Sequence, residues 1–198
     1  MGHSLLDPCR SASLNDEGIQ SRKGYLESRS SVQPLLDDGG RKGVVGGWGV
    51  DALVHRRTRP HKDLDVLVLR QDLLQLDHVM AEHGFVRTLL WPNENLWIVI
   101  DDANCPTAYV MTDPLGRELD IHVLDRGADG ERVPLWSTSQ RFHAEFLEGR
   151  GCIAGTPVAC MSPEGQLVMH TGYDLPGSHQ ADVALLRTLA AAGPSGHG

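Results

Sequence analysis

Two apolar periods, near two and near 3.6, take turns along the middle of this chain and mark out its elements. Gly43-Val44-Val45 is a short β-prone run closed by Gly46-Gly47, and Trp48 to Val54 reads as one or two helical turns. Val66-Leu67-Val68-Leu69 is a strongly apolar strand. Leu73, Leu74, Leu76, Val79 and Met80 then recur at helical spacing, with Asp72 near the start and Gly84 just past the end, which predicts a core-facing helix. Phe85 to Leu90 and Leu96 to Ile100 read as strands separated by the loop Trp91-Pro92-Asn93-Glu94-Asn95, and Thr107 to Met111 as a further strand. Arg117 to Leu124 alternates polar and apolar throughout, so Leu119, Ile121 and Val123 face a core while Glu118, Asp120 and His122 project together from the opposite side. A hairpin is expected around Gly155. Ser162-Pro163-Glu164 has the cap, first-turn proline and acid of a helix start, and a last helix from about Ser178 to Ala191 carries Val183, Leu185, Leu186 and Leu189 on its apolar face. Residues 1–31 keep no apolar period and read as a flexible N-terminal tail. The pattern predicts an α/β (α+β) fold, a small mixed, mostly antiparallel sheet flanked by helices. Its central domain would span 32–160 and a short C-terminal helical cap and tail 161–198.

The chemistry concentrates at Asp63-Leu64-Asp65. Carboxylates at i and i+2 lie on one face of a strand and can reach one ion, while Leu64 and Val66 point the other way. Charges that close repel unless a cation sits between them, and magnesium, with its preference for hard oxygen ligands and phosphates, is the natural one. Upstream, Gly46-Gly47 lets the backbone turn sharply before a helix start, where free amides favour an anion such as a triphosphate. Alone, Gly-Gly marks an ordinary turn and Asp-x-Asp a solvated strand end. In this order, the two together are far more restrictive.

Composition removes several function classes. With 198 residues and 40% hydrophobic content the chain can bury a real core. No apolar run reaches the length of a membrane span, and Met1 to Arg10 lacks the features of a signal peptide, so a cytoplasmic location is expected. Cys9, Cys105, Cys152 and Cys160 form no Cys-x-x-Cys pair and are expected to be reduced. A net charge of -8 argues against a nucleic-acid partner, is compatible with a cationic small-molecule substrate, and leaves a homodimer open.

Gly46-Gly47-Trp48-Gly49-Val50-Asp51-Ala52-Leu53 followed by Thr58-Arg59-Pro60-His61-Lys62-Asp63-Leu64-Asp65 resembles the signature of the small antibiotic nucleotidyltransferases, the aminoglycoside and lincosamide adenylyltransferases of the polymerase-β-type superfamily. The resemblance is close over residues 43–70 and weaker on to about residue 190. It implies a polymerase-β-type catalytic domain and a transferase that moves a nucleoside monophosphate from a nucleoside triphosphate to a hydroxyl, releasing pyrophosphate. ATP as donor, an aminoglycoside or lincosamide as acceptor, and a role in antibiotic resistance are the leading implications. Asp120 matches the family's third acidic position, which makes Asp63, Asp65 and Asp120 the expected magnesium-binding and catalytic carboxylates; Glu118 is the alternative third acid. Gly46, Gly47 and Trp48 belong to the expected nucleotide site. Arg59 and His61 are suited to phosphate oxygens, with Lys62 either a phosphate contact or a solvated loop residue. Asp51 is expected to fix the loop by pairing with a residue such as Arg59. For the acceptor, Glu94, Glu118, His122 and Tyr173 are the candidates, alongside Trp97, Asp101 and Asp102, while His170, Tyr173 and Asp182 resemble the family's helical cap. Two rivals stay open: a toxin-antitoxin type nucleotidyltransferase modifying protein or tRNA, and a noncatalytic nucleotide-binding module.

Overall fold

The computed structural model describes residues 42–88, 97–137, 139–172 and 174–192. The expected tail, the loop containing Glu94, and Tyr173 lie outside the described residues. In chain order the elements are β1 (Lys42–Val44), α1 (Gly46–Leu53), β2 (Asp63–Leu69), α2 (Leu73–Glu82), β3 (Val86–Thr88), β4 (Trp97–Ile100) and β5 (Ala103–Pro106). They continue with β6 (Ala108–Thr112), β7 (Glu118–Arg126), β8 (Arg132–Pro134), β9 (Gly149–Ile153), β10 (Thr156–Cys160), α3 (Pro163–Met169) and α4 (Gly177–Ala192). The main sheet has eight strands in the order β3-β6-β7-β2-β1-β10-β9, with β8 added beside β7. Two pairs, β2 with β7 and β1 with β10, are parallel and the rest antiparallel, as the mixed pattern predicted.

Strand alternation divides the interior. Val66 and Val68 of β2, with Leu119, Ile121 and Val123 of β7, join α2 residues Leu73, Leu76 and Met80 in the larger apolar cluster. Leu67, Leu69 and Leu124 point to the other face, into a second cluster with Val45, Phe142, Leu147 and Met161. Asp63 and Asp65 share the parity of Leu67, and Asp120 that of Leu124. The acids therefore stand on the second face, beyond the apolar residues of that cluster.

Several boundaries differ from the pattern. Of the strand expected over Phe85 to Leu90 the described part is β3, the last two expected residues lying outside the described residues. Among the described residues β4 pairs with β5 in a separate hairpin rather than joining the main sheet. Asp101 and Asp102 turn that hairpin with φ of 51° and 61°, the left-handed pair that a two-residue turn of this hand requires. Ala-Asn-Cys-Pro carries no apolar alternation, so the second strand of the hairpin was invisible to periodicity. The hairpin at Gly155 forms as expected between β9 and β10, over Ala154 and Gly155, both with positive φ. Ser162 caps α3 by accepting a hydrogen bond from the Gly165 amide at 3.2 Å, with Pro163 in the first turn. Helix α4 packs on α3 and reaches α1, which brings the C-terminal helices beside the glycine turn. Cys105 and Cys160 are buried free thiols, but Cys152 is disulfide-bonded, a departure from the expectation of reduced thiols throughout. Among the described residues no helix is long and apolar enough to cross a membrane.

Candidate active site

Parallel pairing of β2 and β7 sets the register of the acids: Asp63 stands beside Glu118, Asp65 beside Asp120 and Leu67 beside His122. All the polar members project from one face, so local alternation on two strands becomes a two-dimensional patch. Ligand atoms of Asp65, Asp120 and His122 lie within 4.8 Å of one another, with His122 Nε2 3.7 Å from Asp65 Oδ1 and 3.8 Å from Asp120 Oδ1. Asp63 is the next residue on the same face and stands just outside that tight group. Its carboxyl is pushed up by burial and then by the charge of Asp65. Asp120 is pushed up to about 6, chiefly by burial; His122 works in the opposite direction, and Asp65, Asp63 and Glu118 add to the rise. Asp120 Oδ1 is buried and accepts no hydrogen bond among the described residues. A buried carboxylate oxygen without a donor, crowded by like charges, has the environment a divalent cation would relieve, and the oxygen-rich donor set suits a hard one.

The glycine turn closes on this patch from β1. Gly46 has φ of 60°, and a Cβ there would collide with Asp65 Oδ2, so both the backbone sign and the space demand glycine. Among the described residues helix α1 begins with no side-chain cap and no acid in its first turn, and its Gly46-Gly47 start lies beside Asp65, the end of a helix that favours an anion. At Gly47 a Cβ would meet the His61 ring and would come within 2.7 Å of Arg59 Nη2. The loop from 54 to 62 is thus folded back onto the turn.

That loop is organised differently from expectation. The partners of Asp51, itself buried, are His61 and Thr58, and not Arg59: His61 Nε2 lies 2.7 Å from Asp51 Oδ2, while the Thr58 amide and hydroxyl donate to Oδ1 at 2.9 and 2.5 Å. Burial pushes the Asp51 carboxyl up, but the bonds from His61 and Thr58 outweigh it and hold the group below its ordinary range. The His61 side chain is only 3% exposed and its ring packs 4.7 Å from that of Trp48, so both residues support the loop from behind the glycine turn. Arg59 instead donates from Nη2 to Asp182 Oδ2 of α4 at 2.8 Å. Lys62 is exposed and paired with Glu118 at 2.8 Å.

On the far side, His170 Nδ1 lies 2.8 Å from the Gln166 carbonyl and its ring packs 5.4 Å from His179. Burial lowers the His179 pKa, as do His170 and Arg59, whereas Asp182 and Asp65 raise it, so charges from the loop, β2 and α4 all converge on this imidazole. Trp97, Asp101 and Asp102 belong to the β4–β5 hairpin rather than to the patch. Sequence reading left Thr58 and His179 out of the site and gave Asp182 no partner. The i, i+3 spacing of His179 and Asp182 on α4 was the signal available.

Both the sequence and the fold are similar to those of known proteins. The chain is 23% identical over 146 residues, 73% of its length and 82% of the relative's, to a lincosamide resistance protein of Staphylococcus haemolyticus. Its fold is similar to that of the lincosamide antibiotic adenylyltransferase LnuA in a lincomycin-bound crystal structure, with TM-score 0.59 and 20% identity over 88% of this chain and 99% of that one. It is also similar to ANT(2'')-Ia in complex with adenylyl-2''-tobramycin, with TM-score 0.54 and 20% identity over 85% and 89% of the two chains. Residues 31–186 match the model of the aminoglycoside-2''-adenylyltransferase family, and because that match spans most of the sequence, the chain belongs to this family of nucleotidyltransferases.

Proposed function

We propose that the protein transfers AMP from ATP to a hydroxyl of a small antibiotic of the aminoglycoside or lincosamide kind and releases pyrophosphate. The observation that carries this reading is the buried Oδ1 of Asp120, which accepts no hydrogen bond among the described residues and is set in register beside Asp65, whose carboxylate lies against the helix start at Gly46. Magnesium is the proposed metal, held by Asp65 and Asp120 with Asp63 completing the anionic set; when bound, it would neutralise phosphate charge and polarise the α-phosphate. The leading amides of α1 and the guanidinium of Arg59 would bind the triphosphate and hold it in line with the acceptor. As the acceptor oxygen bonds to the α-phosphorus and the bond to pyrophosphate breaks, the hydroxyl proton passes to Asp120. Glu118 and His122 border the acceptor side, and Glu94 and Tyr173 remain acceptor candidates outside the described residues. In this reading residues 32–160 are the catalytic domain, 161–198 the cap, and the enzyme works in the cytoplasm.

The test is direct. Purified protein is incubated with magnesium, each nucleoside triphosphate in turn and a panel of aminoglycosides and lincosamides, and the products are read by mass spectrometry. An antibiotic carrying one nucleoside monophosphate, with stoichiometric pyrophosphate, is expected. Labelling of protein or tRNA with no small-molecule adduct would replace this reading by the toxin-antitoxin one.

A further inference from the structure

Asp182 is 2% exposed, on the inner face of α4, and accepts a hydrogen bond from Arg59 across a sequence separation of 123 residues. A buried carboxylate is retained only where something cationic compensates it. Arg59 is that cation, and its other donors are left over: Nε is buried with no acceptor among the described residues, and Nη1 makes only a 3.5 Å contact to the Pro60 carbonyl. The Nη2 that Asp182 holds is also the guanidinium atom nearest the glycine turn, 2.7 Å from where a Cβ at Gly47 would stand. Of the neighbouring basic side chains, Lys62 is paired with Glu118, His61 lies against Asp51, and the Arg57 guanidinium lies over the Trp48 ring.

We propose that Asp182 is a positioning residue for nucleotide binding: by accepting from Arg59 Nη2 it holds the guanidinium against the Gly46–Gly47 turn, with Nη1 and the second Nη2 hydrogen left for the phosphate tail of the nucleotide, so that α4 forms one wall of the triphosphate site. The planar fork of arginine makes this division possible, since one edge can be held by a carboxylate while another meets phosphate. His179, one turn before Asp182 and subject to the charges of both Arg59 and Asp65, lies on the same wall. This proposal rests on the nucleotidyltransferase reading given above and assigns the C-terminal helix a part in it.

Isothermal titration with ATP and with AMP, both with magnesium and without acceptor, separates the possibilities. In Asp182→Asn the affinity for ATP is expected to fall about tenfold to a hundredfold, the worth of one charge-assisted hydrogen bond, with AMP affinity within about twofold of the parent. Arg59→Ala should lose as much, and the double variant no more than Arg59→Ala alone, because both act through one guanidinium. Equal weakening of ATP and AMP, or additive losses in the double variant, would show that Asp182 only docks the helix and would overturn the proposal. Should Asp182→Asn fail to fold, Arg59→Lys decides: it keeps the charge but loses the fork, and an unchanged preference for ATP over AMP would be equally fatal. A parent protein that binds no ATP at all would refute the nucleotide reading together with this one. A parent that prefers ATP, with the preference untouched in folded Asp182→Asn, would remove only the role of Asp182.

Discussion

Replacing Asp120 with asparagine is expected to abolish transfer and, in metal-free buffer near neutral pH, to make the protein more stable. The reason lies in where the carboxyl sits: burial and the charges of Asp65, Asp63 and Glu118 raise its pKa from the ordinary 3.8 to about 6. The folded protein therefore binds this proton more tightly than the unfolded chain does. Its contribution to stability is fully present below about pH 4 and is lost as pH rises through about 6. At about 1.4 kcal/mol for each tenfold in proton affinity, the ionised group costs the metal-free fold about 3 kcal/mol at pH 7.5. The asparagine amide keeps a desolvation cost of about 1 kcal/mol, leaving a net gain of about 2 kcal/mol and a rise in Tm of about 4–8 °C for a chain of this size. Differential scanning calorimetry in EDTA at about pH 7.5 and pH 4.5 would measure it. The two proteins should converge at the lower pH, and added magnesium should raise the Tm of the parent far more than that of Asp120→Asn. A variant that melts below the parent in EDTA at pH 7.5, or one that keeps near-normal transfer, would refute the reasoning.

Asp63→Asn and Asp65→Asn should each lose transfer with the fold intact, because neutralising either removes an anionic ligand while relieving repulsion in the metal-free protein; near-normal product formation, or a collapse of the circular dichroism spectrum, would end the assignment. Gly46→Ala should inactivate the protein at a modest cost in stability, about 1–2 kcal/mol for the left-handed backbone, since the new Cβ displaces Asp65; an alanine variant with parental turnover would separate the turn from catalysis. His61→Ala should destabilise by about 2–4 kcal/mol, through the lost packing on Trp48 and an Asp51 oxygen left without its partner. A thermal melt unchanged from the parent would return His61 to the list of phosphate ligands. Burial pushes the Cys160 thiol up to about 12, so it should resist alkylation in the folded protein and react only after denaturation; mass mapping of native alkylation checks this.

The features legible in the amino-acid order are those governed by neighbours a few residues away. Period two along Asp63-Leu64-Asp65 and along Glu118 to Val123 put the acids on one face of each strand, and the Ser162-Pro163 start fixed the beginning of α3. Glycine at 46 was readable as a turn, though not as a turn whose missing Cβ makes room for Asp65. What the order could not contain was the choice among chemically equivalent partners. Arg59 and His61 both offer Asp51 a donor from the same loop, and only the path of the chain through Thr58 turns His61 inward and leaves Arg59 to reach Asp182. The β4–β5 hairpin was missed for a related reason, since its second strand is defined by its partner and by two left-handed aspartates rather than by alternation of its own. The active patch itself depends on a parallel pairing that sets Asp65 beside Asp120 across the elements α2 to β6. Alternation decides which face a side chain takes, but register and long-range ion pairs follow from the packing of the whole core, and that packing exists only once the chain has folded.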